Sequence, residues 1–173
     1  MNQKLKFMKL LFLVNLMFVG CATMMRHEIP TYSQGQEVNY GEDFKLKIGE
    51  AYWTNQINYQ IADAYFLVVD MSIISMRKQT ATITPPVFTL VNEQGYEYEV
   101  SDRGIAGGGP EDNFIYKLTV DRLSPLMPVR GKVVFDVPKG NYIMIVSTGE
   151  KGEVRGKVYK GKDLYRFKLT PAN

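Results

Sequence analysis

The strongest constraint on the fold is the run Tyr65–Ser75, in which every second residue is apolar. One side of this run is formed by Leu67, Val69, Met71 and Ile73. The opposite side carries Asp70 and Ser72. Alternation with a period of two is typical of a half-buried β-strand, because successive side chains point to opposite faces of a sheet. We expect Tyr65–Ser75 to be the central strand of the core.

Further short segments rich in β-branched and aromatic residues follow at near-regular spacing. They lie at 44–53, 80–84, 88–90, 96–100, 114–120, 132–137, 142–147 and 164–169. A charged, glycine-rich hairpin region, 149–161, surrounds Val154–Tyr159. Gly49 predicts a bulge, and the pair Pro85–Pro86 predicts an edge or a switch between sheets, because proline cannot donate to a central ladder. Residues 92–95 predict a hairpin turn, and 101–113 predict a long flexible loop. Seven to nine short strands without a convincing amphipathic helix predict an all-β sandwich or barrel.

The N-terminus has the composition of an export signal. Three lysines (Lys4, Lys6 and Lys9) precede an apolar run, Leu10–Val19, that ends in Gly20 and Cys21. A basic segment, a short apolar segment and a small residue before the cut are typical of a secretory signal. The run is too short to span a bilayer as a helix, which takes about 20 residues. The alternative, a buried N-terminal helix, would need burial on every face.

The residues Phe18, Val19, Gly20 and Cys21 resemble the lipobox of bacterial lipoproteins. The resemblance implies cleavage between Gly20 and Cys21 and lipidation of Cys21, the only cysteine. Two or three acyl chains at that position would give durable anchoring to a membrane, which a single chain does not. In enteric-type lipoproteins, Ala22 as the second mature residue implies sorting to the outer membrane.

Composition limits the remaining possibilities. The chain has 21 basic and 18 acidic residues, and removal of residues 1–20 takes away three lysines and no acid. The remaining 153 residues are therefore balanced at 18 and 18, which argues against nucleic acid as a partner. Their number suits one domain plus a tether. We expect a signal peptide at 1–20, a lipidated flexible tether at 21–41 and a single domain at 42–173.

Three segments of that domain resemble the DUF4352-type family of bacterial exported proteins. They are Phe66–Ile73, Phe88–Tyr98 and Arg130–Pro138, the last followed by the sequence YIMIV. The resemblance implies an immunoglobulin-like antiparallel β-sandwich and export from the cell. It implies no shared enzymatic activity.

Residues that could carry chemistry are few. The single histidine, His27, lies in the expected tether, so a zinc site or a catalytic triad is disfavoured. Asp102, Glu111 and Asp112 could gather around calcium, although a solvated acidic loop explains them more simply. The glycine-rich stretch 104–110 lacks the lysine and the helix of a phosphate-binding loop. We expect no metal and no cofactor.

Two groups of residues are candidates for binding. Gly107, Gly108, Gly109 and Asp112 lie in the expected loop and could order on a partner. Tyr52 and Trp53 could stack on sugars, although strand aromatics more often belong to the core.

The sequence therefore predicts a lipid-anchored, non-catalytic interaction or scaffold module for another envelope protein. A peptidoglycan- or polysaccharide-binding lipoprotein is the alternative, and an envelope hydrolase is a weaker third hypothesis.

Overall fold

Strands make up most of the computed structural model, which describes residues 28–83, 85–107, 122–148, 152–154, 157–159 and 162–172. The strands are β1 (Thr31–Ser33), β2 (Glu37–Tyr40), β3 (Phe44–Ile57), β4 (Gln60–Ser75), β5 (Val87–Asn92), β6 (Glu97–Tyr98), β7 (Pro128–Val137), β8 (Tyr142–Ser147), β9 (Gly152–Val154), β10 (Lys157–Tyr159) and β11 (Asp163–Lys168). The described residues between β6 and β7 include a short helix, α1 (Asp102–Gly107).

The two main sheets form a β-sandwich, as the sequence predicts. One sheet has the order β1-β11-β8-β5-β6 and the other has the order β2-β3-β4-β7. Pairing is antiparallel throughout these sheets except between β1 and β11, which are parallel. β9 and β10 form a separate two-stranded ribbon. The described residues contain eleven strands, more than the seven to nine expected, because several strands are only two or three residues long.

β4 is an inner strand of the four-stranded sheet, which confirms its expected central position. It pairs with β3 on one side and with β7 on the other. The expected inward residues are all buried: Leu67, Val69, Met71 and Ile73. The outward residues Phe66 and Val68 are buried as well. This second burial is the first sign that part of the outer face is covered.

The predicted irregularities also occur in the structure. The β3–β4 register shifts between Ile48 and Ala51, so Gly49 lies in a bulge. The chain changes sheets across Pro85–Pro86, since β5 pairs with β8 rather than with β4. In the β5–β6 turn, the Asn92 side chain accepts hydrogen bonds from the backbone of Gln94 and Tyr96, and Gly95 has a φ of 85°. A positive φ costs glycine little because it has no Cβ.

The main core lies between the sheets and contains most of the buried apolar side chains. Phe135, Phe167, Leu90 and Met144 are among the residues that are fully buried there. Tyr142 donates a hydrogen bond to the carbonyl of Pro138 (2.7 Å). Burial raises the pKa of the Tyr142 phenol.

Two predicted boundaries are wrong. The expected tether at 21–41 includes β1 and β2, and β1 pairs with β11 while Val38 and Tyr40 enter the core. The sequence pattern did not identify these strands, because three or four residues show little periodicity. The expected loop at 101–113 begins with helix α1. The expected strand at 114–120, the signal peptide at 1–20 and its cleavage site lie outside the described residues.

Candidate functional site

Tyr52 and Trp53 do not form a common stacking surface. They are neighbours on β3, so their side chains point to opposite faces of the sheet. Trp53 packs against the main core, with its ring centroid 6.2 Å from that of Tyr142. Tyr52 packs on the outer face against a small cluster of Phe66, Val68 and Val134. Both rings are half-buried.

The other candidates from the sequence are only partly described. Gly107 is the last residue of α1, whereas Gly108, Gly109 and Asp112 lie outside the described residues. Asp102 begins α1, and its possible calcium partners Glu111 and Asp112 also lie outside. No group of three or more acidic, histidine or cysteine residues capable of holding a metal occurs in the described ranges. Gly20, Cys21 and His27 precede the first described residue.

The outer face of the four-stranded sheet divides into a covered half and an open half. The covered half is the cluster of Phe66, Val68 and Val134, over which α1 packs. Helix and strand approach closely at Gly104, where an added Cβ would lie 2.3 Å from Cγ1 of Val134. Ser101 secures this approach: its N–H donates to the carbonyl of Val134 (2.8 Å), and its hydroxyl accepts from the N–H of Gly104 (3.1 Å).

Charged side chains at the rim of the covered half connect α1, β4 and β7. Arg103 of α1 donates to Asp63 of β4, with 2.5 Å between Nη1 and Oδ1. This hydrogen bond and the charge of Asp63 raise the pKa of the Arg103 guanidinium. The Asp136 carboxylate of β7 accepts from the N–H groups of Asp63 (2.8 Å) and Ala64 (3.0 Å). Because Asp63 and Arg103 are exposed, their ion pair orients α1 more than it stabilises the fold.

The open half is a groove of about 420 Å³ next to the covered half. Its central row crosses three strands, with Lys47 of β3 opposite Ser72 of β4, and Ser72 opposite Arg130 of β7. Side chains at opposed positions of antiparallel strands share one face. Lys47 and Arg130 are exposed and Ser72 is half-buried, so all three reach the groove.

A second row lies between this one and the covered half. Asp70 of β4 is opposite Lys132 of β7, and the bulge residues Gly49 and Glu50 of β3 lie on the other side of Asp70. One carboxylate oxygen of Asp70, Oδ1, is buried. The backbone of Gly49 lies close to Asp70, since a Cβ added to Gly49 would be 3.2 Å from both Cβ and the carbonyl oxygen of Asp70.

The groove carries a small positive charge. Three cationic side chains line it (Lys47, Arg130 and Lys132), against the two carboxylates of Glu50 and Asp70. At its margin, Lys45 is neutralised by Glu37, with 2.7 Å between Nζ and Oε1. A guanidinium and an ammonium on either side of a hydroxyl can bind an oxyanion by charge-assisted hydrogen bonds.

Sequence reasoning missed this groove. The alternating polar residues of each strand are visible in the sequence, including Lys45 and Lys47 around Leu46, and Arg130 and Lys132 around Gly131. They predict solvent-facing positions but not which of them are neighbours across the sheet. Knowledge of the pairing register of β3, β4 and β7 would have shown that these residues are neighbours.

A second, mainly apolar depression lies at one end of the five-stranded sheet. Its volume is about 260 Å³, and it is lined by residues of β5 and β8, by Glu93 and Asn141 next to them, and by the end of β11 with Leu169. The Asn141 side chain donates to Glu93 beside it (2.8 Å). The depression contains fewer charged groups than the groove.

Among the described residues, no helix is long and apolar enough to cross a membrane.

Comparison with known proteins gives the family and related structures. The family described as "Domain of unknown function (DUF4352)" matches residues 35–152. Similar structures include the secreted protein MPT63 of Mycobacterium tuberculosis, at 17% identity and a TM-score of 0.56, covering 82% of this chain and 98% of that one. The yjhA protein of Bacillus subtilis has 14% identity and a TM-score of 0.52, with 80% and 99% covered.

An uncharacterised β-sandwich protein of Clostridium difficile is also similar, at 13% identity and a TM-score of 0.50, with 83% of this chain and 95% of that one covered. Similarity at these identities establishes the fold only. None of the curated proteins matches the sequence. The family match covers more than half of the chain and includes the strands that build the groove, so the protein belongs to the DUF4352 family.

Proposed function

We propose that the protein is exported, anchored by lipid on Cys21 to the bacterial envelope, and binds another envelope protein without catalysing a reaction. The anchoring rests on the basic segment, the apolar run and the sequence Phe18–Cys21. In an organism with an outer membrane, Ala22 directs the protein there.

The distance between anchor and domain is short in this proposal. The first strand begins at Thr31, so only residues 22–30 separate Cys21 from the sandwich. Nine residues span at most about 30 Å when fully extended. The domain therefore works close to the membrane surface, within reach of other membrane-anchored proteins and of the periplasmic parts of integral ones.

The observation that carries the binding function is the open groove on the four-stranded sheet. The chain covers the apolar half of that face with its own helix and leaves the charged half accessible. The volume of the groove, about 420 Å³, lies within the usual range for ligand-binding pockets, about 300–1,000 Å³. The sheet fixes the backbone positions of these charged residues, so binding does not require a loop to become ordered, which reduces its entropic cost.

Glycan binding through Tyr52 and Trp53 is the weaker alternative. A sugar-stacking platform needs aromatic faces presented together, whereas these two rings point to opposite sides of β3 and are half-buried.

In-cell crosslinking of the full chain, followed by mass spectrometry, tests the proposal. Cys21→Ser serves as the unanchored control, and incorporation of a palmitate analogue measures lipidation. We expect the original chain to incorporate the label and to capture one defined envelope protein. Cys21→Ser should lose the label and most of the captured partner. An unlabelled original chain, or recovery of cell-wall glycan alone, would contradict the proposal.

A further inference from the structure

We infer that the groove binds an acidic peptide segment, with one carboxylate held between Arg130 and Lys47 above the hydroxyl of Ser72. This inference rests on the proposed function and specifies the chemistry of the partner's contact. The arrangement of the three strands, the charge of the groove and the bulge at Gly49 support it.

The strand spacing places the two cations at a suitable separation. Lys47, Ser72 and Arg130 occupy opposed positions on three neighbouring strands. Neighbouring strands lie about 4.8 Å apart, so the backbones of β3 and β7 are separated by roughly 10 Å at this row. Long side chains from both can converge on a group above Ser72. The guanidinium of Arg130 offers the planar fork that matches a carboxylate, and Lys47 adds a point charge.

The balance of charge favours a carboxylate over a phosphate-bearing ligand. Three cations against two carboxylates leave a net charge of about one positive unit in the groove. A single carboxylate neutralises it. A phosphate polymer or an anionic lipid surface would bring further negative charge against Glu50 and Asp70, at a cost from like-charge repulsion.

The neighbouring row suits a peptide backbone. Glu50 presents an exposed carboxylate beside the cations, and a carboxylate accepts hydrogen bonds from N–H groups. The bulge at Gly49 brings Glu50 to the lining of the groove, next to Asp70. An extended acidic segment can therefore lie across the strands, with its side-chain carboxylate at Arg130 and an N–H group toward Glu50.

A peptide titration of the full chain in non-ionic detergent tests this directly. The probe is a fluorescein-labelled Gly-Ser peptide with a single central Glu, and matched peptides with Lys or Ser at that position are compared with it at physiological ionic strength. Fluorescence polarisation should show saturable binding of the Glu peptide alone. Arg130→Glu and Lys47→Glu should each weaken it roughly tenfold or more, because each removes a charge-assisted contact and adds repulsion. Arg130→Lys should retain part of the affinity.

The matched control is Arg166→Glu, which makes the same charge change on β11 of the other sheet, where Arg166 is exposed. It should leave the affinity within about twofold. Equal losses in Arg130→Glu and Arg166→Glu would overturn the inference, since they would indicate attraction to the overall charge. So would the absence of binding up to about 1 mM peptide, or tighter binding of inorganic phosphate or phosphatidylglycerol vesicles. Circular dichroism of each variant establishes that it is folded.

The same variants separate this inference from the proposed function. If Arg130→Glu in cells still captures the partner that the original chain captures, the interaction module stands and the groove is not its contact. If the original chain carries no lipid and captures no envelope protein while the Glu peptide still binds at Arg130, the groove inference stands and the proposed function fails.

Discussion

The two halves of the outer face of the four-stranded sheet are built on the same three strands but have opposite surfaces. On β4, the outward positions Phe66 and Val68 are buried beneath α1, whereas Asp70 and Ser72 face the groove. Val134 and Lys132 differ in the same way on β7. The outward residues that the helix approaches at Gly104, Phe66 and Val134, are apolar, and those that line the groove are mostly polar.

This difference shows that the chain covers the apolar half of the face with its own helix and leaves the charged half accessible. Burial of apolar area stabilises the covered half by about 25 cal/mol per Å² removed from water. The polar residues of the open half gain nothing comparable from being covered by the chain itself. Substitutions in the two halves should therefore have different consequences, and four predictions test this in decreasing order of effect on stability.

Phe66→Ala should have the largest effect. Phe66 is fully buried in the covered half, and loss of a buried aromatic ring costs about 3–5 kcal/mol. Urea denaturation followed by the fluorescence of Trp53, the only tryptophan, measures the free energy of unfolding. Ile61→Ala on the same strand is the control, because Ile61 is 66% exposed. A loss in Phe66→Ala no larger than that of the control would show that α1 does not form a packed cover.

Gly104→Ala should destabilise the protein by about 1–3 kcal/mol, through overpacking of α1 against β7. The new Cβ would lie 2.3 Å from Cγ1 of Val134, a β-branched side chain with little rotamer freedom. Denaturation of the double variant with Val134→Ala separates this clash from other effects of alanine. We expect Gly104→Ala to cost less in the Val134→Ala background, and additive losses would contradict the proposed contact.

Gly49→Ala should cost about 1 kcal/mol or less. Its Cβ would be 3.2 Å from Cβ and the carbonyl oxygen of Asp70, a tight but not prohibitive contact. The lower entropy of the unfolded alanine chain offsets part of this strain. The same denaturation assay gives its value. A loss as large as that of Gly104→Ala would mean that the open half is packed as rigidly as the covered half.

Arg130→Ala and Lys47→Ala should change the free energy of unfolding least, by about 0.5 kcal/mol or less, because both side chains are exposed. Their effect should appear in binding of the acidic peptide instead. Thermal or urea denaturation beside the peptide titration gives both quantities for each variant. A large loss of stability in either would assign these residues to the fold rather than to a binding surface.

Strands with strong periodicity were predictable from the sequence. Local alternation identified β4 from Tyr65 onward, although the strand begins at Gln60, and the apolar run Tyr142–Ser147 gave the bounds of β8. Proline and glycine located the sheet switch and the β3 bulge. β1 and β2 were missed because so few residues define no clear period, and their place depends on pairing with β11 and β3. Helix α1 was missed because its glycine-containing sequence has a low helix propensity, and its packing on Phe66 and Val134 compensates for this.

The sequence by itself determined the β-rich class, the position of the central strand and the apolar face that it turns to the core. It did so because side-chain alternation is a local property of each strand. Only the tertiary structure decided which polar residues meet. Lys47, Ser72 and Arg130 lie far apart in the chain and share one row through the pairing of β3, β4 and β7. A slip of one residue in that pairing would turn a strand's side chains to the other face, and the bulge at Gly49 makes such a shift within β3 itself.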